Sequence, residues 1–391
     1  MSEPKKLLRL SRYQKAMNLG HSMRRSALFA AAAQAFLAAE QAAPEDRSAI
    51  LYRATCLKEA GQHEAAKLAY QHLLGLHPLF ADGWSLYGVF LKDSGHYGEA
   101  IEALRKSLSI RNEIETRNTL VVSLFKAGRV DAARAEGSIN LEAKDRWAVE
   151  KFANSPWRDV KLAPPKRQFD PKTPRRNVIA FSLWGDDPVY VHGAIVNARI
   201  APHIYYGWTA RFYVDNSVPM DAVEELQRAG AQIVRFSDPA FGKIRPMWRF
   251  LVSDDPDVDW FICRDTDSRL NCQELIAVEE WLRTGLPFHA MRDHIYHMEL
   301  VLAGMWGGAA GILPNIQARL LAETKYHDNR YADQAFLMGE VWPLIRNQIC
   351  THDTYYALKG SREFPPTYRL PRPAHVGGAV KKMPTWRIGI G

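Results

Sequence analysis

The chain of 391 residues reads as two unlike folds in tandem. An α-helical solenoid of paired-helix repeats is expected over residues 1–150, and an α/β domain with a mostly parallel sheet over 177–391. Three observations predict this. Small and bulky residues recur at a fixed step through the first third. A basic, Pro-rich stretch at 151–176 then breaks all periodicity. From Asn177 onward, short apolar runs alternate with amphipathic ones. The length agrees, since a chain of this size normally divides into two domains.

In the first third, Gly61 recurs as Gly95, Ala66 as Ala100 and Pro44 as Pro78, each 34 residues on; Gly128 and Ala133 follow after 33. The clearest copy starts near Ala81, with Trp84, Tyr87, Gly88, Leu91, Gly95, Ala100 and Leu104. Gly88 and Ala100 let the two helices of a repeat approach closely. Trp84, Leu91 and Leu104 fill the space between repeats, and Gly95 supplies the left-handed stop of the first helix. The preceding copy carries Ala54, Leu57, Gly61, Ala66, Tyr70 and Pro78. The first copy, around 26–45, is Ala-rich and degenerate, as a terminal cap can be. Over residues 13–147 these spacings resemble tetratricopeptide repeats. That resemblance implies a concave surface for peptides or other proteins; the competing use is dimerisation or support of the second domain.

Composition excludes several classes. Hydrophobic residues make up 47% and charged residues 24%, an ordinary globular balance. The four cysteines form no CxxC pair, so neither a disulfide framework nor a zinc site is expected, and a reducing compartment is. No apolar run reaches the ~20 residues of a bilayer span, and the basic N-terminus has no apolar core behind it. A cytoplasmic protein is the resulting expectation. The net charge of +8 sits in two flanking segments: seven Lys/Arg against one Glu in 1–25, and eight against two Asp in 151–176. The remainder is acidic, which argues against a nucleic-acid groove. The basic segments are solvated linkers or docking sites for an acidic partner or lipid surface. Pro156, Pro164, Pro165, Pro171 and Pro174 make 151–176 an extended, moderately stiff linker.

In the second domain, strands are expected at 177–183, 210–214 and 232–236, with helices at 191–199, 221–229 and 247–252 between and after them. The strand Trp260-Phe261-Ile262-Cys263 is apolar throughout, as a strand covered on both faces is. It ends on Asp265-Thr266-Asp267. Further strands are expected at 288–292 and 305–313. In open α/β sheets, ligands bind at the carboxyl ends of the strands. Two carboxylates there suit magnesium or manganese(II), which are held by few carboxylates together with substrate phosphates.

This Asp-x-Asp is similar to that of nucleotide-sugar glycosyltransferases of the GT-A fold, whose sheet is Rossmann-like. Other segments, in order, resemble glycosyltransferase family 8. They are Arg249 through Asp267, Phe288 through Asp293, Gly307-Gly308-Ala309-Ala310-Gly311-Ile312-Leu313 and Tyr331-Ala332-Asp333-Gln334. The closing stretch His375…Gly378…Lys381, with Pro384 and Trp386 beyond, completes the set.

The resemblance implies a UDP-hexose donor and a metal held by Asp265, Asp267 and His375, with His352 the rival third ligand. Lys381 would neutralise the diphosphate, and Thr266 would contact the metal shell or ribose. Arg249 would clamp phosphate or orient Asp265. Asp293 and Asp333 would hydrogen-bond sugar hydroxyls, with Gln334 near the reacting carbon. Gly308 would let substrate lie against backbone, and Gly378 belongs to the closing motif. Ser182, Leu183, Trp184 and Asp215, at two strand ends, would approach the nucleotide base. Trp184, Trp248 and Trp306 would stack on sugar or base, or fill the core.

Three departures stand out: Arg264 before Asp265, Ala335 after Asp333-Gln334, and a loosened Lys381-Lys382-Met383-Pro384-Thr385-Trp386 ending. The family retains stereochemistry; an inverting reaction would need a carboxylate base, for which Asp333 or Asp293 would serve. A repeat module beside a transferase suggests a polypeptide acceptor, with a lipid-linked or polysaccharide glycan as the alternatives. Two other classes compete: a repeat-based adaptor with a degenerate second domain, and a nucleotidyltransferase that makes activated sugars. The latter would carry a Gly-rich basic loop after the first strand. That place holds the acidic Leu183-Trp184-Gly185-Asp186-Asp187.

Overall fold

The computed structural model describes residues 3–329, 331–358 and 360–381. The chain forms two compact units, Met1–Gly137 and Ser138–Gly391. The division falls earlier than residue 150 because the last helix of the repeat array continues past it.

The first unit is built from helices α1 (Glu3–Arg25), α2 (Phe29–Ala42), α3 (Arg47–Glu59), α4 (His63–Leu76), α5 (Ala81–Asp93), α6 (Tyr97–Ile110), α7 (Ile114–Lys126) and the start of α8 (Val130–Phe152). They stack as successive antiparallel pairs, a helical repeat array consistent with a tetratricopeptide solenoid. The repeating glycines set its joints: Gly61, Gly95 and Gly128 have φ of +73°, +81° and +75°. At each joint the following residue donates to the carbonyl five back: Gln62 to Leu57, His96 to Leu91 and Arg129 to Leu124. This is the Schellman arrangement, which satisfies carbonyls the helix end leaves open. The degenerate first copy makes the same bond, Leu28 to Met23 at 2.9 Å, but with Ala27 at φ +56°. Close approach within a pair is also periodic. A Cβ on Gly88 would lie 2.5 Å from Leu104, and one on Gly20 would lie 2.6 Å from the Phe36 ring.

The second unit centres on a mixed eight-stranded sheet. Its strands are β1 (Asn177–Leu183), β2 (Thr209–Val214), β3 (Gln232–Arg235), β4 (Trp260–Arg264), β5 (Phe288–Arg292), β6 (Met305–Ala309), β7 (Ile349–Asp353) and β8 (Ser361–Arg362). The order is β3-β2-β1-β4-β6-β5-β7-β8. Strand β6 runs antiparallel to both neighbours, β4 and β5; the other pairs are parallel. Strand β1 is fully buried along its length, as is β4.

Helices α9 (Pro188–Ile204), α10 (Met220–Arg228), α11 (Pro239–Gly242), α12 (Cys272–Thr284), α13 (Ile316–Ala322), α14 (Ala332–Phe336) and α15 (Trp342–Ile345) cover and connect the strands. A π-turn, Leu337–Val341, joins α14 to α15. Pro343 just beyond cannot donate back into the preceding turn, which favours such a break in register.

Four expectations are corrected. The helix expected at 247–252 is a longer 3-10 helix, Arg245–Asp254. Strand β6 stops at Ala309 rather than 313, because Gly311 turns the chain with φ +72°. Strand β7 was not foreseen, since Ile349-Cys350-Thr351-His352-Asp353 has little apolar pattern. The segment 151–176 is largely irregular, yet it packs within the second unit instead of extending away. Arg176 holds Asp259 through two bonds of 2.7 and 2.8 Å, Ser155 donates to Glu340 at 2.9 Å, and Trp157 is buried.

Candidate functional site

Strand order reverses between β1 and β4, and the crevice beyond their carboxyl ends is where an open α/β sheet accommodates ligands. A cavity of about 540 Å3 opens there. Its walls include Ser182, Leu183 and Trp184 from the end of β1, and Asp265, Thr266 and Asp267 from the end of β4. Arg249 and Asp333 also line it. Eight of the expected residues, from four separate stretches of chain, therefore meet in one hollow.

Arg249 is the centre of this wall. Its side chain is buried, and one terminal nitrogen lies 3.1 Å from Asp265 Oδ1 and 3.2 Å from Asp333 Oδ2. Its Nε donates to the Ala303 carbonyl at 3.1 Å, and its backbone N–H donates to Ser182 Oγ at 3.0 Å. Burial alone would lower the guanidinium's pKa, but the charges of Asp265 and Asp333 outweigh it and hold the pKa above the ordinary value. Asp333 is pushed the other way. Its burial raises its carboxyl pKa, partly offset by Arg249. Asp267 is also raised, first by burial and then by the charge of Asp265 beside it. Two carboxylates in mutual repulsion at a cavity wall are a donor set that a hard dication would relieve.

Several expected roles change. Asp293 is 1% exposed and accepts four bonds, from Gln273, Thr354, Arg372 and the Val376 N–H. A carboxylate has about four lone-pair sites, so Asp293 has none left for a sugar hydroxyl and holds the chain around residues 372–376 in place. Gln334 is likewise occupied: its amide donates to the Val301 carbonyl at 3.0 Å and accepts from the Ala303 N–H at 3.1 Å. Gly308 does not line the cavity; a Cβ there would strike Phe288 at 2.4 Å, so its smallness serves sheet packing. Asp215 lies in a neighbouring recess, bound by Ser217 and by Arg245 at 3.0 Å. Trp248 and Trp306 are wholly buried core, whereas Trp184 is 39% exposed.

The third metal ligand is also corrected. Three-ligand clusters within 4.8 Å among the described residues do not include Asp265, Asp267 and His375. His375 instead stacks on His294 at 4.3 Å, with His297 at 5.3 Å. His352 lies on β7, hydrogen-bonded to His289 at 2.8 Å. The closing stretch still reaches the Asp-x-Asp: Val380 N–H donates to the Asp267 carbonyl at 2.7 Å, and Lys381's charge acts on Asp267. Gly378 donates to the His375 carbonyl at 3.0 Å. Pro384 and Trp386 lie outside the described residues. Arg264, the departure before Asp265, is buried against Glu274 at 3.1 Å and does not line the cavity.

Two glycines that shape the site went unnoticed in the sequence. A Cβ on Gly304 would lie 1.9 Å from Asp265 Oδ2, and one on Gly193 would lie 2.1 Å from the Thr266 carbonyl. Arg249 and Gln334 both bond the loop just before Gly304, so that loop is pressed against Asp265. No local pattern marks either glycine, because each obstacle is far away in sequence. Asp186, Asp187 and Tyr190, also in the cavity wall, follow β1 directly and could have been inferred from its end.

No family model matches the chain, and no curated protein matches it. Among solved structures, MamA is 21% identical over 37% of this chain and 86% of its own, with a TM-score of 0.34. The tetratricopeptide domain of Sgt2 from Aspergillus fumigatus is 21% identical, covering 30% of this chain and 79% of its own, with a TM-score of 0.29. A mutant O-GlcNAc transferase from Thermobaculum terrenum is 20% identical over 59% of this chain, with a TM-score of 0.34. The chain spans 42% of that transferase's length. Likenesses at this level carry no inference about activity or partners. Among the described residues, no helix is long and apolar enough to cross a membrane. The protein is thus a helical repeat array followed by a mixed α/β sheet, with a cavity at the sheet's switch point.

Proposed function

We propose that the second unit is a metal-dependent glycosyltransferase of GT-A type, transferring a hexose from a nucleotide-sugar. The convergence of Asp265, Asp267, Arg249 and Asp333 on the switch-point cavity carries this reading. Its volume lies in the range of small-molecule sites. Asp265 and Asp267 would hold magnesium or manganese, which when bound offsets negative charge growing on the departing diphosphate. The chain's own groups do the rest. Arg249 fixes Asp265, and Lys381 adds positive charge beside Asp267. Trp184, half-exposed at the end of β1, offers a face for the base. Asp333 lines the cavity beside Arg249, where it would accept a proton or a hydrogen bond from a hydroxyl. The repeat unit would recruit or orient a polypeptide acceptor.

Donor hydrolysis across UDP-, GDP-, CMP- and TDP-sugars with manganese tests the activity without an acceptor. One sugar turned over in wild type, abolished by chelator and by Asp265→Ala or Asp267→Ala, supports it. Turnover that persists in Asp267→Ala at the wild-type rate would remove the Asp-x-Asp from the chemistry.

A further inference from the structure

Outside the cavity, the sheet brings His289 beside Cys350 and His352, which lie 61 and 63 residues further along the chain. Strands β5 and β7 pair in parallel with His289 opposite Cys350 and Met291 opposite His352. Residues 350 and 352 share one face of β7, so His289, Cys350 and His352 converge under α12. One ligand atom from each lies within 4.8 Å of the others. All three are buried, and His289 Nε2 faces His352 Nδ1 at 2.8 Å.

We propose that His289, Cys350 and His352 form a three-ligand site for zinc(II) or a cation of its class, separate from the cavity between β1 and β4. Two imidazoles and a thiolate are borderline-soft donors, the set that selects zinc over magnesium or calcium. The far nitrogen of each ring, His289 Nδ1 and His352 Nε2, is buried without a hydrogen-bond partner. Glu280 Oε2 lies 3.7 Å from His352 Nε2. That places a carboxylate behind the ring, where metal-bound histidines usually find one. A tetrahedral ion with bonds of about 2.0–2.1 Å to nitrogen needs the two rings to part by roughly half an ångström. The ion then replaces their mutual hydrogen bond. The lack of a CxxC pair hid the site, because its ligands come from two strands and not from one loop.

The test uses the full chain carrying Cys272→Ser, which removes the one exposed thiol. After chelator treatment it is titrated with cobalt(II) and then zinc(II). One equivalent of cobalt should give intense tetrahedral d–d bands and a thiolate charge-transfer band, both displaced by one equivalent of zinc. Cys350→Ser should lose the charge-transfer band, Asp267→Asn should keep it, and Glu280→Gln should weaken zinc binding about 10–100-fold. If Cys350→Ser does not fold, zinc-edge X-ray absorption of the loaded parent decides. One sulfur near 2.3 Å with nitrogen neighbours supports the site, and a shell of light atoms alone overturns it. A charge-transfer band that survives Cys350→Ser, or no band at several equivalents, also overturns it.

Discussion

The joints of the repeat array and four glycines of the sheet unit meet opposite needs. In the helical unit, Gly61, Gly95 and Gly128 have positive φ and nothing within 4 Å of where a Cβ would stand. They are glycines for conformation. In the sheet unit, Gly193, Gly304, Gly307 and Gly308 would each drive a Cβ to within 2.4 Å of another atom. They are glycines for space. A conformational requirement repeats with the chain and is visible locally. A spatial one depends on whatever the fold brings alongside. The same contrast separates the joints of the repeat array from the geometry of the cavity.

The strongest way to probe the spatial side is Arg249→Leu. It leaves Asp333 buried without its cation and should cost about 3–5 kcal/mol in urea unfolding. A cost below about 1 kcal/mol would mean that Arg249 does not hold the two carboxylates together. Next, Gly304→Ala displaces Asp265. Donor turnover should fall about 100-fold, the order expected from a misplacement of roughly 1 Å, while the protein stays folded by circular dichroism. Gly95→Ala is its counterpart in the helical unit. It should cost about 1–2 kcal/mol of stability through the left-handed backbone and leave donor turnover unchanged. Equal effects of these two substitutions on turnover would erase the distinction.

The reverse change is smaller. Ala27 occupies the left-handed joint of the first repeat, so Ala27→Gly removes a penalty of about 1–2 kcal/mol. Glycine's own entropy returns about 0.5–1 kcal/mol. A net gain of roughly 0.5–1 kcal/mol in urea unfolding is expected, and a loss would show that the joint tolerates alanine freely.

The smallest effect concerns charge. Burial and the neighbouring Asp265 raise the carboxyl pKa of Asp267, so the folded protein binds that proton more tightly than the unfolded chain. The contribution to stability is present below the unfolded pKa and lost as pH rises through the raised folded value. Asp267→Asn should therefore stabilise the protein at pH 7 while abolishing metal-dependent turnover. Unfolding curves at acid and neutral pH should converge for the variant at this site and differ for wild type.

The repeat array was legible because its period lies along the chain, down to Gly95 as a left-handed stop. Strands β1 and β5 fall where their apolar runs placed them, at 177–183 and 288–292. Asp265, Asp267, Arg249 and Ser182 through Trp184 were marked by their positions at strand ends and on a helix, and they meet in the cavity. Asp293 and Gln334 were not readable from residue type. Whether a polar side chain is free for a ligand depends on partners elsewhere, and those of Asp293 come from residues 273, 354, 372 and 376. The pairing of β5 with β7, which assembles His289, Cys350 and His352, depends on a strand with almost no apolar signature.

The central claim is that the cavity between β1 and β4 binds a nucleoside diphosphate together with a divalent cation held by the Asp-x-Asp. Calorimetric titration of UDP, with GDP in parallel, into wild type and Asp267→Ala, each with manganese and with chelator, tests it most directly. Saturable binding of one nucleotide is expected in the wild type with manganese, lost with chelator and in the variant. Binding that is equally strong with chelator or in Asp267→Ala, or no binding of either nucleotide, would contradict it.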